Sequence, residues 1–112
     1  MNYKNQRQVY FPKEEITAMY NNPKSENFLH SLDWDKLILV TSDLNGNEFK
    51  VWLYCMKWSG KDKFFYSPAA LDKEFNISES TAQRAFKTLM EKGYLEAKGD
   101  NITDFIFHPL PV

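Results

Sequence analysis

The sequence holds one cysteine, Cys55, which excludes an internal disulfide and a multi-cysteine zinc site and suits a reducing compartment. Two histidines, His30 and His108, stand far apart with no cysteine or carboxylate at ligand spacing, so no metal is expected. Long apolar runs are missing as well. Runs such as Leu37 to Val40 fall far short of the ~20 residues that cross a bilayer, and the first ten residues are polar, without the apolar stretch of a signal peptide. The reading is a cytoplasmic chain with no membrane partner.

Charge of one sign is also lacking: 14 Lys and Arg against 15 Asp and Glu leave −1, so there is no global attraction to phosphate and any nucleic-acid binding must rest on a local patch. With four glycines there is no glycine-rich phosphate loop, and no nucleophile elbow is present. The acid pairs Glu14/Glu15 and Asp33/Asp35 have no partnering base and read as solvated charges, not as the paired carboxylates of a hydrolase. Nothing here argues for an enzyme, a catalytic residue or a cofactor.

What is present is core material. Hydrophobic residues make up 43% of the 112 and aromatics 16%, enough for one folded domain, and no repeat or low-complexity tract interrupts it. The first 20 residues read as a polar arm and a short helix after Pro12, with Glu14 and Glu15 at the positive end of its dipole. Asn21, Asn22 and Pro23 break that helix, and Leu37 to Val40 reads as a short strand. From Leu44 the pattern sharpens: Phe49, Trp52, Leu53 and Met56 recur at helical spacing, with Val51 and Cys55 widening the stripe, which predicts a buried central helix. Phe64 to Tyr66 reads as a strand.

Ser67 then caps a helix with Pro68 at its first position, ending near Phe75. Asn76 and Ile77 form a turn, Ser78 caps the next helix, Ala82, Phe86 and Leu89 face inward at i, i+4 and i+7, and Gly93 closes it. Two strands follow, Tyr94 to Lys98 and Ile102 to Phe107, joined through Gly99, Asp100 and Asn101 as a hairpin, before Pro109 and Pro111 stop the chain's regular structure.

The stretch Ile77-Ser78-Glu79-Ser80-Thr81-Ala82-Gln83-Arg84-Ala85-Phe86-Lys87-Thr88-Leu89-Met90-Glu91-Lys92-Gly93-Tyr94-Leu95, preceded by Ser67-Pro68-Ala69-Ala70-Leu71, resembles the recognition-helix segment of bacterial winged-helix regulators and of winged-helix domains in plasmid and phage replication initiators. Leu44 to Leu53 is similar to the first helix of the initiator type, and the resemblance spans roughly Leu44 to Phe107. It implies an α+β fold: a small winged helix-turn-helix over residues 44–112, with a three-helix core and a C-terminal β-hairpin wing, plus an N-terminal extension over 1–43. The implied function is sequence-specific binding of double-stranded DNA in transcription regulation or replication initiation, through a recognition helix at about 78–92 and a wing at about 94–107.

Under that resemblance Ser80, Thr81, Gln83, Arg84 and Lys87 are the polar positions of the recognition helix left for DNA. Arg84 suits a bidentate contact to guanine, Gln83 one to adenine, and the hydroxyls of Ser80 and Thr81 suit phosphate or base contacts. Lys98 at the wing, with Lys87 and Lys92, suits phosphates, although Glu79, Glu91, Glu96 and Asp100 lie among them and leave the patch weakly basic. Tight specific binding then calls for a homodimer.

Plainer readings stand beside these. Arg84 has a plainer reading as a surface arginine paired with Glu91 or another neighbouring acid; Trp34, Trp52 and Trp58 as core or partner-facing; Cys55 as a small packing residue. The aromatic extension, with Tyr10, Phe11, Tyr20, Phe28, Leu29, Leu32 and Trp34, either lies across the first helix, forms a dimer interface or recruits a replication or regulatory protein. The alternative class is a winged helix used as a protein-interaction module with little or no DNA binding, favoured by the near-neutral charge, the acidic wing and the many aromatics.

Overall fold

The computed structural model describes residues 7–21, 32–100 and 103–111. The expectations placed on Asn22, Pro23, Phe28, Leu29, His30, Asn101 and Ile102 lie outside the described residues. The fold is α+β: a four-stranded mixed sheet covered on one face by helices. Among the described residues no helix is long and apolar enough to cross a membrane.

The sheet begins where the sequence reads as a polar arm. Strand β1 (Arg7–Tyr10) lies between β2 (Lys63–Tyr66), which it pairs antiparallel, and β4 (Asp104–Phe107), which it pairs parallel; β3 (Leu95–Ala97) completes the order β2-β1-β4-β3 as the antiparallel neighbour of β4. Only Val9 in β1 is a strong apolar signal, and four residues cannot display a period, so the strand is set by its partners and not by its own pattern. Val9 is fully buried between Phe64 and Phe105, and Phe11 just beyond stacks on Phe64 and meets Phe107 edge-on. Strands from both sides of residue 43 therefore share one sheet.

Helix α1 (Lys13–Thr17) follows, with Pro12 as its N-cap and not its first residue. The strand expected at Leu37 to Val40 is instead part of helix α2 (Trp34–Asp43). The Asp33 carboxylate accepts from the backbone N–H groups of Asp35 and Lys36, which caps the first turn. Leu37, Val40 and the following Leu44 then bury at i, i+3 and i+7, a helical spacing that a four-residue window does not reveal.

Helix α3 (Gly46–Lys57) starts in a capping box: Asn45 Oδ1 accepts from the Glu48 N–H, and Glu48 Oε1 accepts from the Asn45 N–H. Its apolar stripe buries Val51, Trp52, Cys55 and Met56 as the spacing requires. Trp52 stacks on Phe49, meets Phe107 edge-on and donates from Nε1 to the Pro109 carbonyl, so the central helix is hydrogen-bonded to the C-terminal segment. Helices α4 (Pro68–Phe75) and α5 (Glu79–Glu91) pack on α3, and the hairpin β3–β4 begins just past α5, with both strands shorter than the sequence suggests.

The sheet has two unlike faces. Val9, Phe64, Tyr66, Leu95, Phe105 and Phe107 point into the core, while Gln8, Tyr10, Lys63, Phe65, Glu96 and Ile106 alternate with them toward solvent.

Two expectations follow from this packing. Phe11→Ala removes a buried ring that bridges β2 and β4 and should cost about 3–5 kcal/mol in urea denaturation; a loss below about 1 kcal/mol would show that Phe11 does not pack between Phe64 and Phe107. Burial, the leading cause in each case, raises the Cys55 thiol and the Tyr20, Tyr54, Tyr66 and Tyr94 phenols above their ordinary 9.0 and 10.0. Raised acids contribute stability that is complete below the unfolded values and lost as pH climbs past them toward the folded ones. The urea midpoint should therefore hold steady near neutrality and fall between about pH 9 and about pH 11; an unchanged midpoint across that window contradicts the burial of these groups.

Candidate nucleic-acid interface

The orientation of α5 is set by short-range chemistry before any packing. Ser67 Oγ accepts from the Ala70 N–H, with Pro68 at the first position of α4, and α4 ends at Asn76, whose φ of 56° and ψ of 46° put it in the left-handed region. Asparagine tolerates that conformation better than most residues other than glycine. The reversal lets Ile77 bury its side chain and places Ser78 to cap α5, its Oγ accepting from the Thr81 N–H at 3.3 Å. At the far end Gly93, with φ of 89°, turns the chain so that the Tyr94 N–H donates to the Leu89 carbonyl. Only glycine suits that φ, and a Cβ there would also approach Pro111 Cβ to 3.2 Å.

Between these caps α5 divides cleanly. Ala82, Ala85, Phe86 and Leu89 are buried, and the Phe86 ring packs edge-on against both Tyr66 and Phe105 of the sheet. On the opposite side Ser80, Arg84 and Lys87 form a solvent-exposed row at i, i+4 and i+7, with Gln83 exposed beside it. Thr81 is half-buried on the flank that faces α3. Its Oγ1 accepts from the Ser78 hydroxyl at 2.9 Å and from Arg84 Nη2 at 3.3 Å, which holds the guanidinium near the start of the helix. Thr88 Oγ1 donates back to the Arg84 carbonyl.

Five of the six candidate residues thus come together on α5, and Lys98 does not join them. Its ammonium sits 3.7 Å from the centroid of the Tyr10 ring, on the outer face of the sheet. That contact was invisible in the sequence because Tyr10 belongs to a strand not expected there. Lys92 is likewise withdrawn from α5's exposed row: its Nζ donates to the Asp43 carbonyl and lies 3.7 Å from Asp43 Oδ1 and 3.6 Å from Glu48 Oε1. Tyr94 donates to Asp43 Oδ2 in the same cluster, which ties the end of α5 to the junction of α2 and α3. By contrast Arg84 and Lys87 make no ion pair among the described residues, Glu91 included.

A polar concavity of about 280 Å³ opens between the start of α3 and the middle of α5, lined by Asn45, Asn47, Glu48, Thr81, Arg84 and Thr88. The capping box and Lys92 occupy the Glu48 carboxylate, so the acid on this wall is compensated. Among the described residues no cluster of histidine, cysteine and carboxylates is arranged to hold a metal. Cys55 is buried and its thiol is pushed up by that burial, which leaves it protonated and inert.

No protein-family description, curated protein or solved structure matches the chain.

The Ser78 cap fixes where α5 starts and hence which side chains stand in its exposed row. Ser78→Ala should lower stability by about 1 kcal/mol, measured as a shift of the urea midpoint at constant slope, and Ser78→Asp should restore it. Equal stability of Ser78→Ala and the unaltered protein would mean that packing alone positions α5.

Proposed function

We propose that this chain is a winged helix-turn-helix protein that binds double-stranded DNA, with α5 as the recognition helix and β3–β4 as the wing. The observation that carries the reading is the unburied row of α5: Arg84 and Lys87, with Ser80 and Gln83 beside them, project from a capped helix and are neutralised by no carboxylate among the described residues. A helix of this width enters the major groove, where Arg84 has the fork to take guanine O6 and N7, Gln83 the amide to take adenine, and Lys87 and Ser80 the groups to take phosphate. Thr81 acts through Arg84, whose guanidinium it holds. The role is in transcription regulation or in replication initiation in a phage or plasmid setting, without chemistry of the protein's own.

A second reading has its own observation. Trp34, Ile38 and Leu39 of α2 are 61%, 57% and 63% exposed, an apolar surface that a DNA-binding helix does not need. It favours a protein-interaction module, or a homodimer in which that surface joins two DNA-binding copies.

Salt separates the two readings. Binding to a randomised duplex library should enrich a motif and weaken as salt rises, since each phosphate neutralised contributes about 0.9 to the slope of log K against log salt. Arg84→Ala should cost about 1–3 kcal/mol and relax the preference at one base position, whereas Lys87→Ala should weaken all sequences alike and lower the slope by about 1. No enrichment and no salt dependence would leave the protein-interaction module as the better account.

A further inference from the structure

We propose that the solvent face of the sheet binds single-stranded DNA, with a base stacked on Phe65 and the strand's phosphates held by Lys63 and Lys98. The nature of the partner follows from the chemistry of five neighbouring side chains. Phe65 is 61% exposed although it belongs to a sheet strand, and among the described residues it has no aromatic neighbour of its own. Gln8 stands directly across from it on β1, as Tyr10 stands across from Lys63. The Tyr10 hydroxyl donates to Gln8 Oε1 at 3.1 Å, which directs the amide nitrogen of Gln8 away from Tyr10 and leaves it to an acceptor on a base edge.

Two ammonium groups converge on the Tyr10 ring: Lys98 Nζ at 3.7 Å and Lys63 Nζ at 5.5 Å from its centroid. Neither is paired with a carboxylate among the described residues. The ring thus gathers positive charge about two residues, or roughly 7 Å, along the strand from the free face of Phe65. Of the acids of this face, Glu96 Oε1 lies 3.5 Å from His108 Nε2 and Asp104 has an interaction of its own.

An exposed aromatic with cations beside it is the pattern that takes an unpaired nucleotide, because stacking needs an open base face and the phosphate needs the charge. A duplex offers no such face, its bases being covered by their neighbours, so this surface and α5 take different forms of nucleic acid. The choice of DNA over RNA rests on the duplex-DNA reading of α5; the choice of a single strand does not.

The test measures anisotropy of a labelled oligothymidylate of about 12 nucleotides against the full chain, in parallel with the enriched or a generic duplex. The expected result is salt-sensitive binding of the single strand that Phe65→Ala weakens about five-fold or more and Phe65→Tyr restores, with duplex affinity unchanged in both. Lys63→Ala should lower the single-strand salt slope by about 0.7. Both side chains are exposed, so these variants keep the fold. Absence of oligothymidylate binding, or binding that neither Phe65→Ala nor Lys63→Ala alters, overturns the proposal. Single-strand binding that depends on Phe65 while no duplex is bound supports it and sinks the α5 reading instead. Tighter binding of oligouridylate than of oligothymidylate overturns the assignment to DNA.

Discussion

The insertion of β1 between β2 and β4 is the constraint on which the rest of the molecule depends. A strand at the start of the chain supplies hydrogen bonds to two strands that come more than fifty and nearly a hundred residues later, and without it those strands would have no common neighbour. Val9 and Phe11 carry that insertion into the core, where they meet Phe64, Phe105 and Phe107. The helical layer is referred to the same sheet: Phe86 of α5 touches rings from β2 and β4, and Trp52 of α3 reaches Phe107 and the Pro109 carbonyl. Moving β1 would therefore displace the platform against which α5 is set.

The exposed chemistry is what this packing leaves over. α5 spends its apolar residues on the sheet and α3, and the cluster of Lys92, Asp43, Glu48 and Tyr94 fixes its far end by ion pairs and hydrogen bonds. That cluster consumes a lysine with its carboxylates together, so the cations that remain in α5's exposed row, Arg84 and Lys87, face solvent without a neutralising partner among the described residues. A chain with a net charge of −1 can in this way present a local positive surface.

The same insertion widens the sheet. With β1 in place Tyr10 and Gln8 reach the solvent face, Lys98 comes to rest on the Tyr10 ring, and Phe65 acquires a polar neighbour across the strand. Lys98 thereby changes its surroundings from a hairpin tip to the middle of a cation–aromatic group. Two surfaces of opposite kind result, one a helix edge with paired donors, the other a sheet face with an open ring.

The sequence by itself determined the elements whose signals are local. Ser67-Pro68 and Ser78 mark helix starts because a hydroxyl and a missing N–H satisfy the first turn, Gly93 marks an end because only its φ is free, and the spacing of Ala82, Phe86 and Leu89 separates the buried side of α5 from its exposed row. The candidate residues Ser80, Thr81, Gln83, Arg84 and Lys87 were legible for the same reason. Tertiary structure alone decided the strand at Arg7–Tyr10, the helix at Trp34–Asp43 and the partners of Lys92 and Lys98. A four-residue strand shows no period, an apolar run such as Leu37 to Val40 fits either a strand or a helix, and the reach of a lysine is settled by residues distant in the chain. Those choices depend on which surfaces remain to be buried once the local elements have formed.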